Sequence, residues 1–234
     1  MTTKFFAPLL AAALLLTTAP AFAAGATTAK PAAPAPAPAT NGTTIGLELS
    51  PEFFADPSKS TYGHINDAYF KGTVTQTVAP GWSVSGSLQT IDKVSNSPAT
   101  WQFQVDGNLA YKAKLNSNFS VTLTGGAGYT WGNTGYTGGV AVAAPAGVDP
   151  FFYYYGQVAL DDKIDANWTW NIVNVRLRQA VGVQWFTPKI QTGVTYNIDA
   201  SNAVYANVGY AWKDNGSGLK PDKINVAVGY KYSF

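Results

Sequence analysis

The sequence contains no cysteine, one histidine and one methionine, and only 12% of its residues are charged. Without cysteine the chain has no disulfide, no thiolate metal site and no lipoprotein thioether. The lone histidine, His64, is a poor start for a transition-metal site, and no carboxylate cluster has the spacing of one, so neither a metal nor a cofactor is expected. Lys and Arg number 15 against 13 Asp and Glu, and no basic patch argues for nucleic acid. No stretch reaches the roughly 20 apolar residues of a membrane helix, and no helical period of useful length follows the N-terminal region.

What the N-terminal region does contain has the pattern expected of a leader. Lys4, the apolar run of residues 5–16 and the small-x-small site Ala21-Phe22-Ala23 predict a cleaved secretory signal over residues 1–23. Export without disulfides suits a Gram-negative envelope. Residues 24–42 are mostly Ala, Pro, Thr and Gly, a composition that buries no core and is expected to form a disordered, extended periplasmic segment. Residues 43–234 are of a length for one domain.

That domain alternates. In the last eleven residues, Ile224, Val226, Val228, Tyr230, Tyr232 and Phe234 interleave with Asn225, Ala227, Gly229, Lys231 and Ser233. The two-residue period gives a strand with one apolar and one polar face. The same pattern recurs over residues 45–53, 68–78, 82–90, 101–115, 119–131, 151–160, 173–185, 190–198 and 204–212. The count is ten strands, with eight or twelve open because residues 140–144 could add strand and residues 151–172 read in more than one phase. Trp168, Trp170 and Ile172 fall out of phase with Val173, which predicts a bulge there. Connections alternate between short turns and longer segments, around 55–66, 92–99, 132–149, 186–189 and 213–223, the fourth being short. That asymmetry, with an even strand count, predicts an all-β, transmembrane, antiparallel up-and-down β-barrel.

The seven tryptophans separate lipid from a soluble core. Trp82, Trp168 and Trp170 lie beside short turns, and Trp101, Trp131, Trp185 and Trp212 beside long ones. Together with Phe234 they are expected at the two membrane interfaces. The aromatic-ended stretch Gly229-Tyr230-Lys231-Tyr232-Ser233-Phe234 resembles the C-terminal signature of bacterial outer-membrane β-barrel proteins, and size and final strand resemble the small porins. The resemblance implies an outer-membrane location, contact with lipid and lipopolysaccharide, and recognition of Phe234 by the barrel-assembly machinery.

Candidate chemistry is sparse. His64 sits in a loop near Ser60 and Asp67, where a hydrolase or acyltransferase would need it; the chain is expected not to be an enzyme. Asp161, Asp162 and Asp165 lack the spacing of a calcium loop. The glycines of residues 125–139 lack the lysine and helix of a phosphate loop and are expected to relieve crowding between strands.

The polar face is the better place for function. Parity directs Glu48, Lys71, Asp106, Lys112, Lys114, Asp161, Arg176, Arg178 and Lys231 inward, with Glu52 and Lys213. Arg176 and Arg178 are expected to form a basic wall with Asp106 and Glu48 as counter-charges, and Lys231 to lie near Glu48. Two readings of the interior stay open. One is a small, weakly selective diffusion channel for small hydrophilic solutes. The other is a non-conducting structural or surface-interaction barrel whose lumen is filled by paired charges and tyrosines.

Overall fold

The computed structural model describes residues 42–93, 100–137, 140–143, 150–182, 185–214, 216 and 218–234. The expected leader and all but the last residue of the Ala/Pro-rich segment lie outside the described residues. The strands are β1 (Thr43–Phe54), β2 (Ile65–Ala79), β3 (Trp82–Lys93), β4 (Thr100–Lys114), β5 (Phe119–Thr137), β6 (Val140–Ala143), β7 (Phe151–Lys163), β8 (Trp168–Ala180), β9 (Lys189–Asn197), β10 (Asn202–Lys213) and β11 (Lys220–Ser233).

Ten of these strands form a ring. The order runs β1, β2, β3, β4, β5, β7, β8, β9, β10, β11, and antiparallel pairing of β1 with β11 and of β4 with β5 leaves no gap. Closure removes the open edges that a sheet would otherwise present. Residues 140–143 do become a strand, β6, but it pairs only with the far end of β5 and stays out of the ring. The predicted bulge lies on β8, whose register against β9 breaks between Asn171 and Asn174. A second break, between Leu160 and Asp161, is on the β7 side.

Register places the apolar residues together on the outside. Leu47 pairs with Gly72 and Tyr230, Leu49 with Phe70 and Val228, and Leu88 with Val105. Leu47, Leu49, Phe70, Leu88, Leu109, Leu123 and Leu177 are all exposed. A wall this apolar, around a polar interior, inverts the arrangement of a soluble protein.

The ring ends differ because their turns differ. Three short turns use one device: Asn116, Asp165 and Asp199 each accept, through Oδ1, the backbone amides two and three residues on, at 2.7–2.8 Å. A local Asx turn of this kind supplies bonds that the sheet ladder no longer can. The fourth, between β2 and β3, uses Pro80 and Gly81, the latter with φ of 78°, as a Pro-Gly turn requires. A Cβ on Gly81 would also stand 2.9 Å from the Lys112 carbonyl.

Aromatic pairs mark both rims. At the short-turn end Trp82 packs on Tyr111, Trp168 on Tyr196 and Phe234 on Tyr232, each with centroids 4.8 Å apart. Nearby, the Trp170 indole donates to Thr192 at 3.3 Å. At the other end Trp131 stacks with Phe103 and Tyr129, and Trp212 packs on Tyr210. The side chain of Trp101 lies outside the described residues. Trp185 departs from the expected belt. Strand β8 stops at Ala180, Gly182 turns the chain with φ of 76°, and Trp185 folds over the inward-facing Arg178, 4.4 Å from its guanidinium. The alternation predicts a strand running on to Trp185, but the strand ends at Ala180 and cation–π contact holds Trp185 against Arg178.

Candidate functional site

The lumen is built by the second residue of every alternating pair. Its short-turn half is roomy and polar. Asp161 of β7 pairs with Lys112 of β4 at 3.4 Å and accepts from the Asn171 amide at 2.7 Å. Across the lumen, Tyr205 of β10 donates to Glu48 of β1 at 2.8 Å, and Lys231 lies 4.8 Å above the Tyr205 ring. Between these groups is a cavity of about 220 Å³ lined by Glu48, Asp161, Asn171, Gln191, Asn207 and Lys231, among others.

The long-loop half is tighter. Here Ser50, Asp67, Gln104, Asp106, Tyr153 and Asn225 are buried. Lys223 is central: it pairs with Glu52 at 2.7 Å and with Asp67, and donates to the Tyr69 hydroxyl at 3.1 Å, while Tyr69 donates to Glu52 at 2.8 Å. Buried charges persist only when paired and hydrogen-bonded in this way. Asp106 is satisfied differently, accepting from Ser87 at 2.9 Å, Tyr155 at 3.3 Å and Tyr153 at 3.4 Å.

Glycines set where the tyrosines lie. Tyr155 is registered opposite Gly126, Tyr153 opposite Gly128 and Tyr205 opposite Gly229. A Cβ at each of these glycines would stand 2.2–2.4 Å from the facing tyrosine. The missing side chain lets each ring lie flat on the neighbouring strand, covering the glycine instead of projecting into the lumen.

Of the residues expected inward from parity, Glu48, Asp161 and Lys231 line one cavity, whereas the expected partnerships of Arg176 and Arg178 are not formed. Glu48 and Lys71 are opposite one another in register, and Lys114 is exposed at the short-turn mouth. Asp106 and Glu48 do not act as ion-pair partners of Arg176 and Arg178, because tyrosine hydroxyls reach those carboxylates first. Arg178 instead donates to Thr187 at 3.2 Å and to Gln104 at 3.3 Å. Lys213 is in register with Lys220 near the long-loop rim.

Several lumen residues went unseen in the sequence. Lys223 and Lys189 lie just before the alternating stretches that open at Ile224 and Ile190, and extending either parity by one residue finds them. Tyr153 and Tyr155 were hidden because both faces of β7 begin with aromatics. Asp67 and Tyr69 are apparent as partners only once β11 closes on β1 and β2.

Other candidate chemistry does not converge. His64 is exposed in the β1–β2 connection and is held through its backbone. Asp161 faces the lumen, its neighbour Asp162 alternates outward, and Asp165 closes a turn. Among the described residues no group of three or more His, Cys, Asp or Glu side chains could hold a metal ion.

No protein-family model matches the sequence, and no curated protein matches it. Solved structures do match. The β domain of the Bordetella autotransporter BrkA is similar with a TM-score of 0.50 at 11% identity, covering 83% of this chain and 100% of that one. An outer membrane channel from Pseudomonas putida F1 has a TM-score of 0.49 at 9% identity, covering 88% of this chain and 100% of the other. The KdgM porin has a TM-score of 0.42 at 14% identity over 81% of this chain and 99% of its own. Such likenesses speak to architecture and leave activity to the site itself. In fold, the chain is a closed, up-and-down antiparallel β-barrel of ten strands, similar in architecture to the BrkA β domain.

Proposed function

We propose that this barrel is a small diffusion channel for hydrophilic solutes in the bacterial outer membrane. The observation that carries the reading is the wall-hugging course of the lumen's polar groups. Tyr153, Tyr155 and Tyr205 lie on glycines, and the hydrogen bonds and ion pairs described above join strands no more than three places apart around the ring. The longest of these links, Arg178 to Gln104, narrows the long-loop half without bridging opposite walls. Water and small solutes then pass along a polar surface, with the tier of Asp106, Tyr153, Arg178 and Lys223 as the constriction. Lipid and lipopolysaccharide contact the outer wall, and Phe234, 68% exposed at the end of β11, is the element offered to the barrel-assembly machinery.

Refolded protein in planar bilayers tests the reading. Discrete conductance steps are expected, and Tyr153→Ala, which removes a ring from the constriction, is expected to enlarge them. Silence of the parent protein at every voltage sinks the channel. It would favour the second reading, a filled structural barrel, for which the buried tier around Lys223 and Asp106 is the supporting observation.

A further inference from the structure

The lumen separates its charges in an uneven way. Five lumen carboxylates have partners: Glu52 and Asp67 hold Lys223, Asp161 holds Lys112, Glu48 takes the Tyr205 hydroxyl, and Asp106 takes Ser87 and two tyrosines. Three cations lie together outside these ion pairs, with Glu52 and Glu48 as the carboxylates whose charge reaches Lys189. Arg176 of β8 is directly across from Lys189 of β9, and Arg178 is two residues along the same face. Like charges opposite one another on a sheet destabilise it. Among the described residues, none of the three is in an ion pair.

Their neutral contacts leave donors over. Lys189 donates to the Asn225 side-chain oxygen Oδ1 at 2.7 Å, its stem passing over Gly209, where a Cβ would meet it at 2.8 Å. Arg178 is fixed at one edge by Thr187 and Gln104 and stacks on Trp185, so its guanidinium is held in place before any ligand arrives. The Nε of Arg176 is buried and has no hydrogen-bond partner. A buried charged donor left unsatisfied costs its full desolvation, and an arginine fork matches the two oxygens of a carboxylate.

We propose that Arg176, Arg178 and Lys189 form a binding step for the carboxylate group of an anionic solute. The proposal rests on the reading of the lumen as a passage and names the class of solute that the passage favours. A carboxylate there completes the Arg176 donor set, neutralises the repulsion between β8 and β9, and sits beside the constriction where every solute must pass.

Two readouts on the refolded full chain separate this site from the passage itself. In planar bilayers under a potassium chloride gradient, the reversal potential should show anion preference, and succinate should reduce the chloride current. Arg176→Gln should weaken the succinate effect at least about tenfold and shift the reversal potential toward cations, while Arg176→Lys should keep the ion preference and lose part of the succinate effect. Conducting channels whose selectivity and succinate response are unchanged by Arg176→Gln overturn the proposal and leave the channel intact. If the parent protein does not conduct, the channel reading fails, and the site is read by fluorescence of the refolded protein in detergent. A succinate-dependent change that vanishes in both Trp185→Phe and Arg176→Gln supports the site, and no change in the parent overturns it.

Discussion

Gly229 shows how much a single residue can decide in this barrel. Its inward face is covered by the Tyr205 ring, and a Cβ would meet Tyr205 Cζ at 2.2 Å. Gly229→Ala is therefore expected to swing the ring into the lumen, breaking its 2.8 Å bond to Glu48. Overpacking of this kind costs about 1–3 kcal/mol, to be read by urea unfolding from lipid vesicles, and the displaced ring should lower conductance. Gly86→Ala is the control, because nothing lies within 4 Å of the position its Cβ would occupy. Equal, negligible effects of both substitutions would show that the tyrosine does not depend on its glycine. The glycine content was plain in the sequence, but which glycine carries a tyrosine was not. That depends on the register between β10 and β11 and between β5 and β7.

At the level of elements, the short turns divide one end of the ring from the other. The turn joining β9 to β10 is closed by Asp199, whose carboxyl is held below its ordinary value of 3.8 by the Asn202 side-chain amide first and by the Ser201 and Asn202 backbone amides. A depressed carboxyl stabilises the turn fully above the unfolded value, and the contribution is lost as pH falls through the lower folded value. The amide signals of Ser201 and Asn202 should move together with a midpoint below 3.8, with Asp199→Asn abolishing the transition. A midpoint at or above 3.8 would contradict the turn as described. Strand positions and the β8 bulge were legible from alternation alone. The end of β8 was not, because residues 181–185 keep an alternating pattern while Gly182 turns the chain and Arg178 captures Trp185.

For the whole molecule, the decisive property is the apolar outer wall. Leu88 is 53% exposed midway along β3. If lipid surrounds it, Leu88→Arg should destabilise the refolded barrel by about 2–4 kcal/mol near the bilayer midplane. Ser85→Arg, on the lumen face of the same strand, should cost much less because the arginine remains in a polar space. Urea unfolding of both variants in vesicles compares them. Equal costs would mean that the two faces of β3 do not meet different solvents.

The sequence by itself determined the alternation of the strands, the polar and apolar faces that follow from it and the aromatic ends of the strands, and it favoured ten ring strands over eight or twelve. These are local properties, since a two-residue period assigns a face without reference to any neighbour. Only the tertiary structure decided the partnerships. Closure of β11 on β1 brings Lys223 to Glu52 and Asp67, and the stagger of β4, β5 and β7 gives Asp106 to tyrosines instead of arginines. Parity could place Arg176 and Arg178 on the lumen face. It took the register of β8 with β9 to set Lys189 beside them, three cations that, among the described residues, share no ion pair.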